Sequence, residues 1–269
     1  MSDAKEQKSA DAPSAGTMYS ASEIHDHVVE AAEEELERPA SELLLSAVAS
    51  GLLVSFSFIA GAFLVSHGPE SQKELLLAAA YPLGFAFVVM AQHQLFTENT
   101  LEPVLPLLEK RDGESLRKML RLWGIVLCGN LIGTAIFALA LAHTPALEPE
   151  MKKPLTDVAM QALKGGAGHV FYKAIWAGWL VALMAWIVNS TRNGMAQIVL
   201  VWLTTAPIAA FGFRHSIAGS TEVFYLAASG SISLVEAILT FELPALAGNI
   251  IGGVVLVAMV NHGQAGGKG

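Results

Sequence analysis

GFRHSIAGSTE, residues 212–222, interrupts an apolar run between MAQIVLVWLTTAPIAAF (195–211) and VFYLAASGSISLV (223–235). An ionisable side chain at the centre of a bilayer costs roughly 2.5–3.5 kcal/mol or more, so Arg214 and His215 need a reason to be there. The rest of the chain says that the surroundings are lipid. Of the 269 residues 53% are hydrophobic and 15% charged, far from the balance of a soluble domain. Stretches free of charge run over 43–66, 75–91, 123–142, 174–188, 195–213 and 243–260. Most approach the roughly 20 residues that a helix needs to cross the hydrocarbon core, which gives an all-α integral membrane protein with six transmembrane helices. A transmembrane β-barrel would alternate apolar and polar residues, and these runs do not.

Charge is uneven along the chain. Residues 1–42 hold eleven acids and three bases, and the remainder holds thirteen of each sign. The stretch to about Gly16 is small and polar, and SEIHDHVVEAAEEELERP (22–39) reads as an acidic surface helix with a serine cap, ending near Pro39. The expected organisation is an N-terminal tail and helix over 1–41, a transmembrane unit over 42–262 and a short tail over 263–269. The N-terminus lacks a basic flank, an apolar core and a cleavage site, so no signal peptide is expected. With six spans, Lys5, Lys8, Arg38, Lys110, Arg111, Arg117, Lys118, Arg121, Arg192 and Lys268 fall on one side. Lys73, Lys152, Lys153 and Lys164 fall on the other. The excess predicts that both termini face the cytoplasm.

The chain also repeats itself. AVASGLLV at Ala47 returns as AIWAGWLV at Ala174, and GNLIG at Gly129 returns as GNIIG at Gly248, each GN followed at equal distance by His143 or His262. Three spans per half is an odd number, so the halves (42–143 and 168–262) are expected to enter the membrane in opposite senses, as an inverted 3+3 repeat. Each half contains one interrupted segment. From Leu75 to Leu108 the pattern would extend about 50 Å as one helix, and it breaks at AQHQLFTENT (91–100) before Pro103 and Pro106. Its partner breaks at GFRHSIAGSTE. Irregular backbone at membrane depth survives only inside protein or along a watery path, so helices 2 and 5 are expected to break around a pore.

QLFTENT (94–100), RHSIAGS (214–220) and GNIIGG (248–253) together resemble the formate/nitrite transporter family, over roughly 43–262, in a divergent, YfdC-like branch. The resemblance implies an aquaporin-like protomer, a homopentamer in the inner (plasma) membrane, and a small monovalent anion such as formate or nitrite as substrate. It places Thr97 as the hydroxyl of the first loop, His215 as the central histidine of the second and Asn249 as the asparagine that can steady the first loop. Phe96, Arg214 and His93 are expected along the same pathway, His93 at the break of the first half where the family's pattern has a small residue. Apolar constrictions would fall at Tyr81, Phe85 and Ile208. Departures are visible. Gln94 stands where an acid is usual, Arg214 replaces an acid, Gly219 replaces an asparagine, and Gly178 replaces the asparagine expected to hold the histidine ring, which leaves the ring without its usual partner.

The chemistry of such a site can be argued from the residues. A small anion cannot cross a dry constriction as an ion, whereas its conjugate acid can. An imidazole with an ordinary pKa near 6.5 is suited to attract the anion and relay a proton to it, so protons are expected as co-substrates at His215. Arg214 would add attraction for anions and oppose the imidazolium, or else serve structure alone. Glu98 and Glu102 are expected at the cytoplasmic mouth. Gly129, Gly133, Gly248 and Gly252 read as close helix contacts, and His143 and His262 as interfacial caps. The alternative function is an aquaporin-like passive pore for neutral solutes. No HExxH, CxxC or Glu-x-x-His pattern occurs and Cys128 is the only cysteine, so no enzyme, metal, cofactor or nucleic-acid partner is expected; lipid and further copies of the chain are.

Overall fold

The computed structural model describes residues Tyr19–Gln264, which form helices and connecting turns with no strand among them. The expectations for Lys5, Lys8, Lys268 and the extreme tails lie outside these described residues.

Helix α1 (Ala21–Glu37) starts at Ser20, slightly before the expected serine, because Ser20 and Glu23 complete a reciprocal capping box. The hydrogen bond from the Ser20 backbone holds Glu23 below the ordinary carboxylate pKa. Its acids do not make α1 a free surface helix: Ile24, Val28, Ala32 and Leu36, spaced four apart, are buried on one face together with His25. Glu33 and Glu37 on the other side reach Lys110 and Lys118.

Five helices are long and apolar enough to cross a membrane: α2 (Ala40–His67), α3 (Glu70–Met90), α5 (Gly113–His143), α7 (Gly166–Val188) and α10 (Leu234–Gln264). The sixth is the shorter apolar α8 (Gly194–Ala210). Two half-helices continue the interrupted ones, α4 (Val104–Lys110) after α3 and α9 (Ser216–Ala228) after α8. A short helix, α6 (Lys152–Ala159), lies in the connection between α5 and α7. The starts follow local chemistry. Asp112 caps α5, Asn193 caps α8 and Ser233 caps α10, each accepting a bond from a first-turn amide.

Two helix pairs form the frame, α2 with α5 and α7 with α10. Both depend on glycine. Gly129 and Gly133 of α5 lie against Leu44, Ala47 and Val48 of α2, and Gly248 and Gly252 of α10 lie against Phe171, Ala174 and Ile175 of α7, so closely that a β-carbon would overlap the facing backbone or, at Gly129, the Ala47 side chain. Gly51 and Gly178 return the contact, against the backbones of Asn130 and Asn249. The outer faces of α5 and α10 carry exposed Ile132, Ile136, Leu139, Leu239, Leu243 and Met259, as helices facing lipid or a neighbouring subunit would.

Helix α10 carries two π-turn stretches, Ala237–Glu242 and Val254–Met259. The first aims Phe241 at Gly219, whose missing side chain leaves room for the ring.

A β-carbon on Gly252 would sit on the Ile175 carbonyl, so Gly252→Leu should force α7 and α10 apart. We expect it to destabilise the protein by about 1–3 kcal/mol or more in denaturant titrations in detergent, with the exposed control Gly263→Ala near neutral.

Candidate functional site

The two helix breaks are built alike. Helix α3 closes with Gln92 N–H on the Val89 carbonyl and His93 N–H on the Val88 carbonyl; α8 closes with Gly212 N–H on the Ala209 carbonyl and Phe213 N–H on the Ile208 carbonyl. In each, the residue that turns the chain is left-handed, Gln92 at φ 55° and Gly212 at φ 59°. After both breaks, an asparagine from the adjacent long helix takes over the freed backbone. Asn130 Oδ1 accepts the Phe96 amide at 2.8 Å while its Nδ2 donates to the carbonyls of Ala47 (2.8 Å) and Gln94 (2.9 Å). Asn249 Oδ1 accepts the Ser216 amide at 2.8 Å while its Nδ2 donates to the carbonyls of Ala174 (2.8 Å) and Arg214 (2.9 Å). The breaks, the asparagines and the facing helices correspond one to one.

Asn249 therefore positions the second loop and not the first, which the resemblance had assigned to it; the first is held by Asn130, and Asn249 lines neither cavity described below. Asn130 was missed as its equal. The signal was present, since Asn130 occupies in GNLIG the place of Asn249 in GNIIG.

The halves then diverge. Helix α9 restarts at once at Ser216, with the His215 side chain as its cap: Nδ1 accepts the Ala218 amide at 3.0 Å. In the first half only a single 3₁₀ turn, Glu98–Thr100, follows, and α4 begins beyond Pro103. Thr97 precedes that turn, and its Oγ1 lies 2.7 Å from His215 Nε2. Because Nδ1 is occupied as an acceptor, the neutral ring carries its proton on Nε2 and donates it to Thr97. Both ring nitrogens thus have partners. The asparagine that the family pattern would place at Gly178 is not there to hold the ring; the ring instead caps its own helix and meets Thr97, and Gly178 admits the Asn249 backbone.

A row of rings leads to this pair. Tyr81 lies 5.2 Å from Phe85, and Phe85 lies edge-on to His215 at 5.0 Å. His215 and Thr97 are buried, as are Phe85 and Ile208. On one side of the row opens a cavity of about 450 Å³ whose lining includes Tyr81, Lys164, Lys173, Arg214, His215 and Glu222. Beside α1 lies a second cavity of about 790 Å³, whose lining includes Glu35, Arg38, His93, Gln94, Glu98 and Glu102. Phe85, Ile208 and Thr97 line neither cavity and stand in the packed zone.

Arg214 bonds the carbonyls of Gly212 and Gln161 through its two Nη atoms, and its buried Nε has no partner among the described residues. It makes no ion pair with Glu222 or Glu98 within the described residues, so its charge belongs to the 450 Å³ cavity. His93 faces the opposite cavity with Nδ1 3.4 Å from Ser46 Oγ, well away from the His215 pair. The Phe96 ring packs on Trp123 at 5.6 Å and lines neither cavity; its contribution is the backbone amide held by Asn130.

The model of the formate/nitrite transporter family matches residues 22–263, nearly the whole described chain. The chain belongs to the formate/nitrite transporter family. Within that family it is 39% identical over 242 residues to the inner membrane protein YfdC of Escherichia coli (strain K12), covering 90% of this chain and 77% of that one. Among solved structures it is similar to a pentameric formate channel with formate bound, with TM-score 0.71 and 25% identity over 82% of this chain and 95% of that one. An FNT family ion channel shares the fold at TM-score 0.79 and 21% identity, over 90% and 98% of the two chains.

Removing either clamp should loosen its own break. Asn130→Ala and Asn249→Ala each remove three hydrogen bonds and strip two loop backbone groups of their side-chain partner, so each is expected to destabilise by about 1–3 kcal/mol or more in detergent unfolding. Loss from one variant alone, with the other neutral, would contradict the equivalence.

Proposed function

We propose that the protein is a membrane channel or transporter for small monovalent anions of the formate and nitrite class, passing them between the two cavities through the Phe85–His215–Thr97 zone. The observation that carries this reading is the buried His215–Thr97 pair, at 2.7 Å, joining the two helix breaks beside a cavity lined by Arg214, Lys164 and Lys173. The cations gather anions, and the ring wall admits the neutral acid rather than the ion. A carboxylate oxygen arriving at the pair competes with Thr97 for the Nε2–H, so His215 acts first as a neutral donor. To relay a proton onward the ring must become an imidazolium, and Nδ1 would then carry a proton facing the Ala218 amide. Proton transfer is therefore coupled to opening of the α9 cap. Relay and permeation are one event in this scheme, with no enzymatic turnover.

The same reading supplies the setting. The matched breaks and clamps support two halves of inverted orientation, each of three spans, within a transmembrane unit over 42–262. Arg38, Lys110, Lys118 and Arg121 gather at the end of the molecule where α1 docks, which supports a cytoplasmic location for that end and for both termini. The exposed apolar helix faces and the pentameric formate channel among its structural relatives support a homopentamer with one pathway per protomer.

In proteoliposomes loaded with a pH indicator, formate uptake should carry protons, and His215→Ala should flatten the pH dependence of the rate. An unchanged rate and pH profile would sink the relay; uptake indifferent to pH and to the anion gradient in the unaltered protein would favour a passive pore. Arg214→Glu reverses the charge of that residue in the cavity of about 450 Å³ and should slow formate entry by about tenfold at low ionic strength, with the difference shrinking as salt is added.

A further inference from the structure

Where the end of α10 meets α1 and α4, three potential ligands converge that the transport pathway does not use: His25, Glu109 and His262, each able to offer one atom within 4.8 Å of the others. They come from separate parts of the chain, which is why spacing motifs in the sequence gave no sign of them. His25 is buried, with only 4% of its surface exposed, while Glu109 and His262 are half-buried. His25 Nε2 lies 3.2 Å from His262 Nδ1, with the rings tilted by 37° and their centroids 5.4 Å apart.

We propose that His25, His262 and Glu109 form a binding site for a divalent transition cation of the Zn²⁺ type, which fastens α1 to the ends of α4 and α10. Three arguments lead there. Two nitrogens bound tetrahedrally at about 2.0–2.1 Å from zinc stand about 3.3 Å apart, close to the separation already present between the two imidazoles. Two imidazoles and one carboxylate are a donor set suited to borderline cations, and leave a fourth position for water. The outer partner is also in place. With Nε2 on the metal, the other His25 nitrogen carries the proton, and Asp26 Oδ1 stands 3.8 Å from it, within reach of a small rotation that would orient the ring. Glu109 Oε1 lies 3.9 Å from His25 Nδ1 and is held on the last turn of α4 by a flexible side chain, so rotation about its own bonds brings a carboxylate oxygen to the metal.

Without a metal, one imidazole donates to the other across the 3.2 Å contact. Binding replaces that hydrogen bond by two N–metal bonds and requires only that the donor ring move its proton to its other nitrogen, with no net proton released. The consequence is mechanical. Helix α1 also lines the cavity beside it through Ala31, Glu35 and Arg38, so a cation at its first turns would fix the helix next to that opening.

The test uses the full-length protein, purified in detergent with a tag that contains no histidine, stripped with a chelator and titrated with Zn²⁺ by calorimetry. The unaltered protein should bind one Zn²⁺ per protomer, and X-ray absorption at the zinc edge should show the outer-shell scattering of two imidazole rings, with oxygen donors completing the coordination. His25→Gln, His262→Gln and Glu109→Gln should each weaken binding by at least about tenfold. A control variant, His143→Gln, should bind as the unaltered protein does. Absence of one-to-one binding by the unaltered protein, or a zinc-edge spectrum without two imidazoles, would overturn the proposal whatever the variants do. These readouts do not involve flux, so their result is independent of what the pathway carries.

Discussion

The structure depends on one constraint: a helix that stops inside a bilayer frees backbone amides and carbonyls that lipid cannot satisfy. Asn130 and Asn249 meet it. Each uses a single carboxamide to accept one loop amide and to bridge a loop carbonyl to the neighbouring long helix. The glycines around them are part of the same solution, since Gly51 and Gly178 are what allow the asparagine-bearing helices to come close enough. Once the two breaks are held, Thr97 and His215 have fixed addresses.

The chemistry at the centre follows from how each break is continued. Because α9 resumes directly at Ser216, His215 is drawn into capping it, and the cap fixes which ring nitrogen carries the proton. Because Pro103 delays α4, the first loop stays irregular and leaves the Thr97 hydroxyl facing the ring. Charged side chains line the cavities beside this zone, with Arg214, Lys164, Lys173 and Glu222 in one and Glu98, Glu102 and Arg38 in the other. Near-symmetric backbone and asymmetric side chains thus coexist.

Departures from the family pattern are absorbed by neighbours rather than left as gaps. Phe241 of the first π-turn stretch fills the space above Gly219, and the Asn249 backbone fills that above Gly178. Helix α1 is similarly integrated: its acidic face meets Lys110 and Lys118, and its apolar face, with His25, is buried against the spans.

Much of this was legible in the sequence, and for identifiable reasons. Charge-free runs, two interruptions and the repeated GN determined a membrane helix bundle of six apolar segments with broken second and fifth helices, because hydropathy and helix length are properties of contiguous residues. The resemblance carried by QLFTENT, RHSIAGS and GNIIGG pointed to His215, Thr97 and Asn249. What only the tertiary structure decided involves residues distant in the chain: that Asn130 is the partner of Asn249 in function, that His215 is a cap with its proton on Nε2, that Phe96 contributes an amide rather than a ring, and that Arg214 answers to two carbonyls and a cavity. Hydrogen-bond direction and close approach depend on which surfaces the packed helices bring together, and no local pattern of residues encodes that.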